Sequence, residues 1–206
     1  EIHERLVGSE MCIRDSDIIF GLYSSKELVE WDQEINHGSD GASEENYLCL
    51  DGDVAKELYG DEINSDWRFK YQLEEKYYGF YYRTLKYNKQ TESTNEGKTN
   101  NRMLPMIRMS EVYYIAAEAI FDTKPKEARG YLELVKKGRG ISKKFDNVTN
   151  KSEFIDLLVN DARREFLGEG QIFYMYKRLN RLIPASSYYS SDILPTDELS
   201  LIHISE

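Results

Sequence analysis

With 37 acidic and 27 basic residues in the chain, a pair of carboxylates is easy to find, and spacing has to decide what any pair does. Glycoside hydrolysis needs two carboxyl groups flanking a sugar, in environments that push their pKa values apart. The regularly spaced acids here stand beside bases instead. Arg108 and Glu111 are three residues apart, Glu118 follows two turns later, and Arg163, Arg164, Glu165 and Glu169 form a second block. At helical spacing such groups make ion pairs, so the expected role is to tie helical hairpins together, with no catalytic residue. His37 lies in a Gly/Ser/Asp loop without a second His or Cys at ligand spacing, which tells against zinc. Asp40, Glu44, Glu45, Asp51, Asp53, Asp61 and Glu62 are oxygen donors without EF-hand spacing, and are read as solvated surface acids. There is no Ser/His/Asp order and no phosphate-cradling glycine loop. No metal and no cofactor is expected. A net charge of −10 also argues against nucleic acid, because no dense Lys/Arg face is present.

Aromatic residues offer a different chemistry. The apolar faces of sugar rings lie well on flat aromatic rings, with polar neighbours bonding the hydroxyls. Trp31, Trp67, Tyr71, Tyr77, Tyr78, Tyr81 and Tyr82 all fall in the first half of the chain. Each could equally serve core or strand packing. Trp31, Trp67, Tyr71, Tyr78 and Tyr81 are the candidate ligand contacts, since strand alternation through residues 77–82 would point some rings away from a core.

The two ends need separate treatment. One short DNA duplex encodes LSLIHISE (199–206) on one strand and SEMCIRD (9–15) on the other. That is the pattern of a translated library adaptor, so residues 1–16 and 199–206 are set aside as artefact. The credible insert, 17–198, is expected to be incomplete at both ends. It keeps Cys49 and His37 as its lone cysteine and histidine and a net charge near −7. No disulfide can form within it, and no stretch is apolar over the length a bilayer requires.

The elements that must position these groups differ in texture. Residues 17–101 are irregular and aromatic, with polar loops at 36–46 and 88–101, a short helix at 53–60 and an extended segment at 76–87. Residues 102–182 carry four amphipathic helical patterns. Met109, Val112, Tyr113, Ala116, Ala119 and Ile120 form the first stripe, just after Pro105. Ala128, Tyr131, Leu132 and Val135 form the second, between Pro125 and the stops Gly138 and Gly140. Asn150 and Glu153 resemble a capping box ahead of Phe154, Leu157, Leu158, Ala162 and Phe166, with Gly168 as the stop. Ile172, Phe173, Tyr176 and Leu179 form the fourth. Residues 183–198 are a Ser-rich tail. The pattern predicts a mainly α fold of tetratricopeptide-like hairpins with an irregular, loop-rich part.

Three blocks are more specific: LPMIRMSEVYYIAAEAI (104–120), VKKGRGI (135–141) and ARREFLGEGQIFYMYKRL (162–179). Their order and spacing resemble the carboxy-terminal region of SusD/RagB proteins. Arg108, Glu111, Glu118, Arg163, Glu165, Glu169 and Gly170 fall on the family's motif positions. ELYGDEINSDWR (57–68), TLKY (84–87) and ILPTDE (193–198) are weaker echoes. Asp161, Gln171 and Met175 depart from the usual Glu, Arg and Asp. The resemblance implies a surface lipoprotein of a bacterial outer membrane that binds a nutrient, most often an oligosaccharide, and passes it to a TonB-dependent, SusC-like transporter without catalysis. Helical hairpins alone would equally suit a cytoplasmic repeat scaffold that binds a protein partner.

Overall fold

A computed structural model describes residues 17–23, 50–86 and 103–181. The expectations for Trp31, His37, Cys49, both polar loops, the Ser-rich tail and the two adaptor-like ends lie outside the described residues. In chain order the elements are β1 (Ile18–Tyr23), β2 (Leu50–Asp51), α1 (Gly52–Tyr59), α2 (Trp67–Gln72), β3 (Leu73–Lys76), β4 (Tyr81–Thr84), β5 (Met103–Arg108), α3 (Met109–Ile120), α4 (Pro125–Lys137), α5 (Lys151–Glu165) and α6 (Gln171–Arg178). The fold is mainly helical, with a three-stranded sheet ordered β2-β4-β3 and a two-stranded β1-β5 ribbon.

Two apolar clusters hold it. In the larger, Tyr114 and Ala117 of α3 and Phe121 at its C-cap meet Ala128, Leu132 and Val135 of α4, and Phe154, Leu158 and Ala162 of α5. Phe121 and Phe154 stack at 4.3 Å between centroids. In the smaller, Ala55, Leu58 and Tyr59 of α1 pack on Leu73 and Tyr82 of the sheet. The helix ends follow the sequence closely. Asn150 accepts hydrogen bonds from the Ser152 and Glu153 amides at the start of α5, and Pro125 opens α4, where its missing N–H costs nothing. The short helix near residue 53 is capped by Asp51, not Asp53, through the Asp53 and Val54 amides.

Three local expectations are corrected. Met103–Arg108, at the start of the helical region, is strand β5, paired antiparallel with β1 from Ile18↔Arg108 to Tyr23↔Met103. The buried stripe of α3 is Ser110, Tyr114 and Ala117, whereas Val112 is exposed. The acids of that helix, Glu111 and Glu118, share a face that turns toward α6, so its polar stripe does not mark the solvent side. The rotation is set by the Tyr114 hydroxyl, which donates to buried Asp161 Oδ2 at 2.6 Å. Residues 76–87 are not one extended run. A turn at Tyr77–Gly79 divides β3 from β4, with Tyr78 (φ 57°) and Gly79 (φ 85°) both left-handed.

The end of α4 shows how sequence, backbone and packing agree. The Ile141 amide donates to the Lys136 carbonyl, and the Gly140 amide to that of Lys137. With Gly140 at φ 85° this is a Schellman turn. A Cβ on Gly140 would lie 2.5 Å from Trp67 Nε1, so glycine is needed for both conformation and space. Gly130, inside the same helix, meets nothing within 4 Å. Gly130→Ala is therefore expected to raise stability by about 0.5–1 kcal/mol. Gly140→Ala should lower it by about 1–3 kcal/mol from backbone strain alone, with a further loss from displacing Trp67. Paired urea melts check both signs.

Candidate functional site

Between the two apolar clusters lies a layer of charge. Six cations (Arg68, Lys86, Arg108, Lys136, Arg139, Arg164) meet six anions (Asp17, Glu62, Asp66, Asp161, Glu165, Glu169) in one linked set of ion pairs. Glu165, at the last turn of α5, is the hub. Its Oε1 accepts from Arg108 at 2.9 Å and Arg139 at 2.6 Å, and its Oε2 from Arg68 at 3.1 Å and Arg139 at 3.0 Å. Each guanidinium arrives from a different element. Arg108 ends β5, Arg139 sits in the Schellman turn held by Trp67, and Arg68 opens α2, where Asp66 accepts from its Nε at 2.9 Å. Asp17 O accepts from the Met109 amide at 2.7 Å, which fixes its carboxylate 2.8 Å from Arg139.

The carbonyls left open at the end of α5 are closed by side chains. Lys86 Nζ donates to Glu165 O at 2.6 Å and Leu167 O at 3.1 Å, and Arg108 donates to Glu165 O at 2.7 Å. Cations at a helix C-terminus also match its dipole. Gly168 and Gly170 both have positive φ. The break they make aims Glu169 between Lys86, at 2.6 Å, and Arg108, at 3.0 Å. On the far side Glu62 accepts from Lys136 at 2.8 Å and is bonded by Arg164, whose Nε reaches Leu58 O at 2.8 Å.

Burial alone would raise the pKa values of Glu165, Asp161 and Glu62, but their partners reverse it. Arg139, Arg108 and Arg68 hold Glu165 well below the usual carboxylate range. Arg68 and Lys136 lower Asp161, and Lys136 and Arg164 lower Glu62. Lys86 runs the other way, since burial pulls it below an ordinary lysine despite Glu169.

The residues singled out from sequence do not all meet in one place. Arg108, Glu165 and Glu169 are in this layer, and Gly170 is the residue before α6. Glu118 leaves α3 to meet Arg178 of α6 through both oxygens. Glu111 stands apart from the ion pairs. It accepts from the Arg108 backbone amide, its other oxygen is buried without a partner, and burial raises its pKa. Arg163 is half-buried on α5 and makes no ion pair among the described residues. Sequence alone did not mark Asp17, Glu62, Asp66, Arg68, Lys86, Lys136 and Arg139 as members of one centre, and Glu62, expected as a solvated surface acid, is instead a largely buried partner of Lys136 and Arg164. Arg68, Lys86 and Arg139 nevertheless lie inside the motif-like segments 57–68, 84–87 and 135–141. The signal was a charged residue embedded in otherwise packed sequence.

The candidate aromatics are not gathered into one surface. The Trp67 ring packs over Gly140, which leaves less of it for a ligand. Tyr71 is exposed near the end of α2, with Lys70 Nζ 5.4 Å from its ring. Tyr81 is half-buried on β4, on the face opposite buried Tyr82. Tyr78, at the hairpin tip, is 99% exposed. Among the described residues no group of three or more His, Cys, Asp or Glu is placed to hold a metal, and no helix is long and apolar enough to cross a membrane.

Fold and centre together define a helical-hairpin protein whose two apolar clusters are joined through a sealed, charge-balanced layer. The model of the SusD family matches residues 55–192, and the chain belongs to that family. A SusD superfamily protein from Bacteroides vulgatus is similar in structure at a TM-score of 0.62 and 19% identity, over 88% of this chain and 40% of that one. Another from Bacteroides thetaiotaomicron matches at a TM-score of 0.58 and 25% identity, over 91% and 42%. The chain thus spans about two fifths of the length of these relatives. No protein of curated function matches it in sequence.

The hub can be tested directly. Glu165→Gln leaves three guanidiniums under-paired and is expected to cost about 3–5 kcal/mol. Glu118→Gln, at a partly exposed pair, should cost under about 1 kcal/mol. Because Glu165, Asp161 and Glu62 have depressed folded pKa values, their contribution is complete above the unfolded carboxyl range, near pH 4. It is lost as pH falls through the lower folded values. Urea midpoints between pH 7 and pH 2 should show that fall for the parent and a smaller one for Glu165→Gln.

Proposed function

We propose that the protein captures a nutrient, most simply an oligosaccharide, at the surface of a bacterial outer membrane. On this reading it is lipid-anchored and delivers its ligand to a TonB-dependent, SusC-like transporter. Membership of the SusD family over residues 55–192 carries the reading. Capture of this kind raises local ligand concentration above a transporter and needs no bond to be broken.

The chemistry of the acids supports a binding role over hydrolysis. A glycosidase needs two reachable carboxyls with pKa values pushed apart. Glu111 is raised and Glu165 lowered, but Glu165 is 2% exposed and committed to three arginines. Glu118 is the acid that shares a cleft with Glu111, and both its oxygens are engaged by Arg178.

For the ligand contact we place Tyr78 first, with Tyr81 on the same hairpin and Tyr71 before it. A tyrosine with its backbone left-handed and its ring fully exposed is unfavourable in isolation, and its apolar face is open to a sugar ring. Affinity electrophoresis through gels containing a panel of soluble polysaccharides tests this. Retardation by at least one glycan is expected. Tyr78→Ala should weaken it by about five- to tenfold with an unchanged melting temperature. Migration unaffected by every glycan would overturn the capture reading, and full retention in Tyr78→Ala would remove Tyr78 from the site.

A further inference from the structure

The outer side of α3 differs from the outer sides of its neighbours. The residues exposed on α4 are Pro125, Lys126, Glu127 and Lys137, and those on α5 are Lys151, Ser152, Glu153, Asp156 and Asn160. The residues exposed on α3 are Val112, Ile115 and Ala119, with no polar side chain among them. They recur at steps of four and three, so they form a stripe on the side away from buried Ser110, Tyr114 and Ala117. Beside the stripe, Tyr174 of α6 is 70% exposed and Ile115 56%. A stack of helical hairpins ends on a polar outer face. The helices α4 and α5 present one and α3 does not. Three apolar side chains at this spacing match the seam that one helix offers another, and the small Ala119 allows a close approach.

The point at which the chain enters the fold identifies what covers the stripe. The carbonyl of Asp17 accepts from the amide of Met109, the first residue of α3, at 2.7 Å. The Asp17 carboxylate is fixed by Arg139 at 2.8 Å. The backbone that arrives at Asp17 is therefore held against the first turn of α3, about one turn from Val112. The other end of the described chain leaves elsewhere, since Arg181 is paired with Asp156 on the polar side of α5. The chain spans about two fifths of the length of its structural relatives, which leaves ample polypeptide for a further helix. A segment tethered beside its seat acts at an effective concentration on the order of millimolar. A second copy has no such advantage and meets the repulsion of a net charge of −10.

We propose that, in the protein of the source gene, the polypeptide directly before Asp17 forms a helix that packs along Val112, Ile115 and Ala119, with Tyr174 at its flank. The proposal rests on reading residues 1–16 as adaptor sequence and is independent of nutrient capture.

This chain can be compared with the chain extended upstream through its source gene to the length of its relatives, both with their native cysteines replaced by serine. Single cysteines at Val112, Ile115 and, as a control, Lys126 are labelled with a maleimide. Val112→Cys and Ile115→Cys are expected to react about tenfold or more slowly in the longer chain, with Lys126→Cys equally fast in both. Val112→Asn should leave the melting temperature of this chain within about 1 °C and lower that of the longer chain by about 3 °C or more. Cross-linking of Val112→Cys to a scan of single upstream cysteines should peak at three- and four-residue steps. Equal labelling in the two chains, or protection already present in this chain, would overturn the proposal. A two-residue period in the scan, no effect of Val112→Asn on the longer chain, or a source gene that encodes residues 1–16 as they stand would do the same.

Discussion

The Glu165 carboxylate, held by three guanidiniums, is the contact on which the rest of the structure depends. Moving one carboxylate from water into a protein interior costs several kcal/mol even after relaxation. A layer of six anions and six cations is tolerable only if every member finds its partners at once. That condition orients elements far apart in the chain. Arg108 and Glu165 are 57 residues apart, Arg68 and Glu165 are 97, and Asp17 and Arg139 are 122. A hydrophobic core tolerates sliding and repacking, whereas this layer closes in one arrangement. The strand β1, the turn after α4 and the end of α5 are fixed by that closure more than by apolar burial.

Charge and oil are joined by rings. The Arg108 guanidinium lies 4.8 Å from the Phe166 ring, Lys136 Nζ 5.3 Å from that of Phe145, and Arg164 5.3 Å from that of Tyr59. Phe166 and Phe145 belong to the larger apolar cluster and Tyr59 to the smaller. Each cluster therefore meets the charged layer through an aromatic face, which attracts a cation where an aliphatic side chain would only desolvate it. The same rings are buried hydrophobes, so the boundary between layer and cluster leaves few groups unmatched. Arg108 Nε is one of them.

What could be read from sequence followed the range of the interactions. The helices α4 and α5 were legible because their caps and stripes are local: Pro125, Asn150, and apolar residues at three- and four-residue steps. The α3 helix was legible as a helix but not in rotation, since its phase depends on Tyr114 reaching Asp161, 47 residues away. The pairing of β1 with β5 left no local mark, and neither did the convergence of Asp17, Arg68, Lys86 and Arg139 on α5. Their segments resembled family motifs, yet ion-pair partners are properties of the folded chain. Trp67 is a further case: the packing of its ring over Gly140, 73 positions on, also left no local mark.

The three departures from the family's usual residues can now be placed. Asp161 is one methylene shorter than the expected Glu, yet its two oxygens reach Arg68 at 2.8 Å and the Tyr114 hydroxyl at 2.6 Å. The hydroxyl closes the gap, and the layer stays complete. Gln171 and Met175, which stand for an Arg and an Asp, both line the cleft beside Glu111. A cation at 171 would have been a natural partner for that carboxylate. The glutamine leaves its own Oε1 buried without a partner, and the methionine supplies an apolar wall. Glu111 Oε2 is buried without a hydrogen-bond partner, whereas Glu118, two turns on, is held by Arg178 through both oxygens.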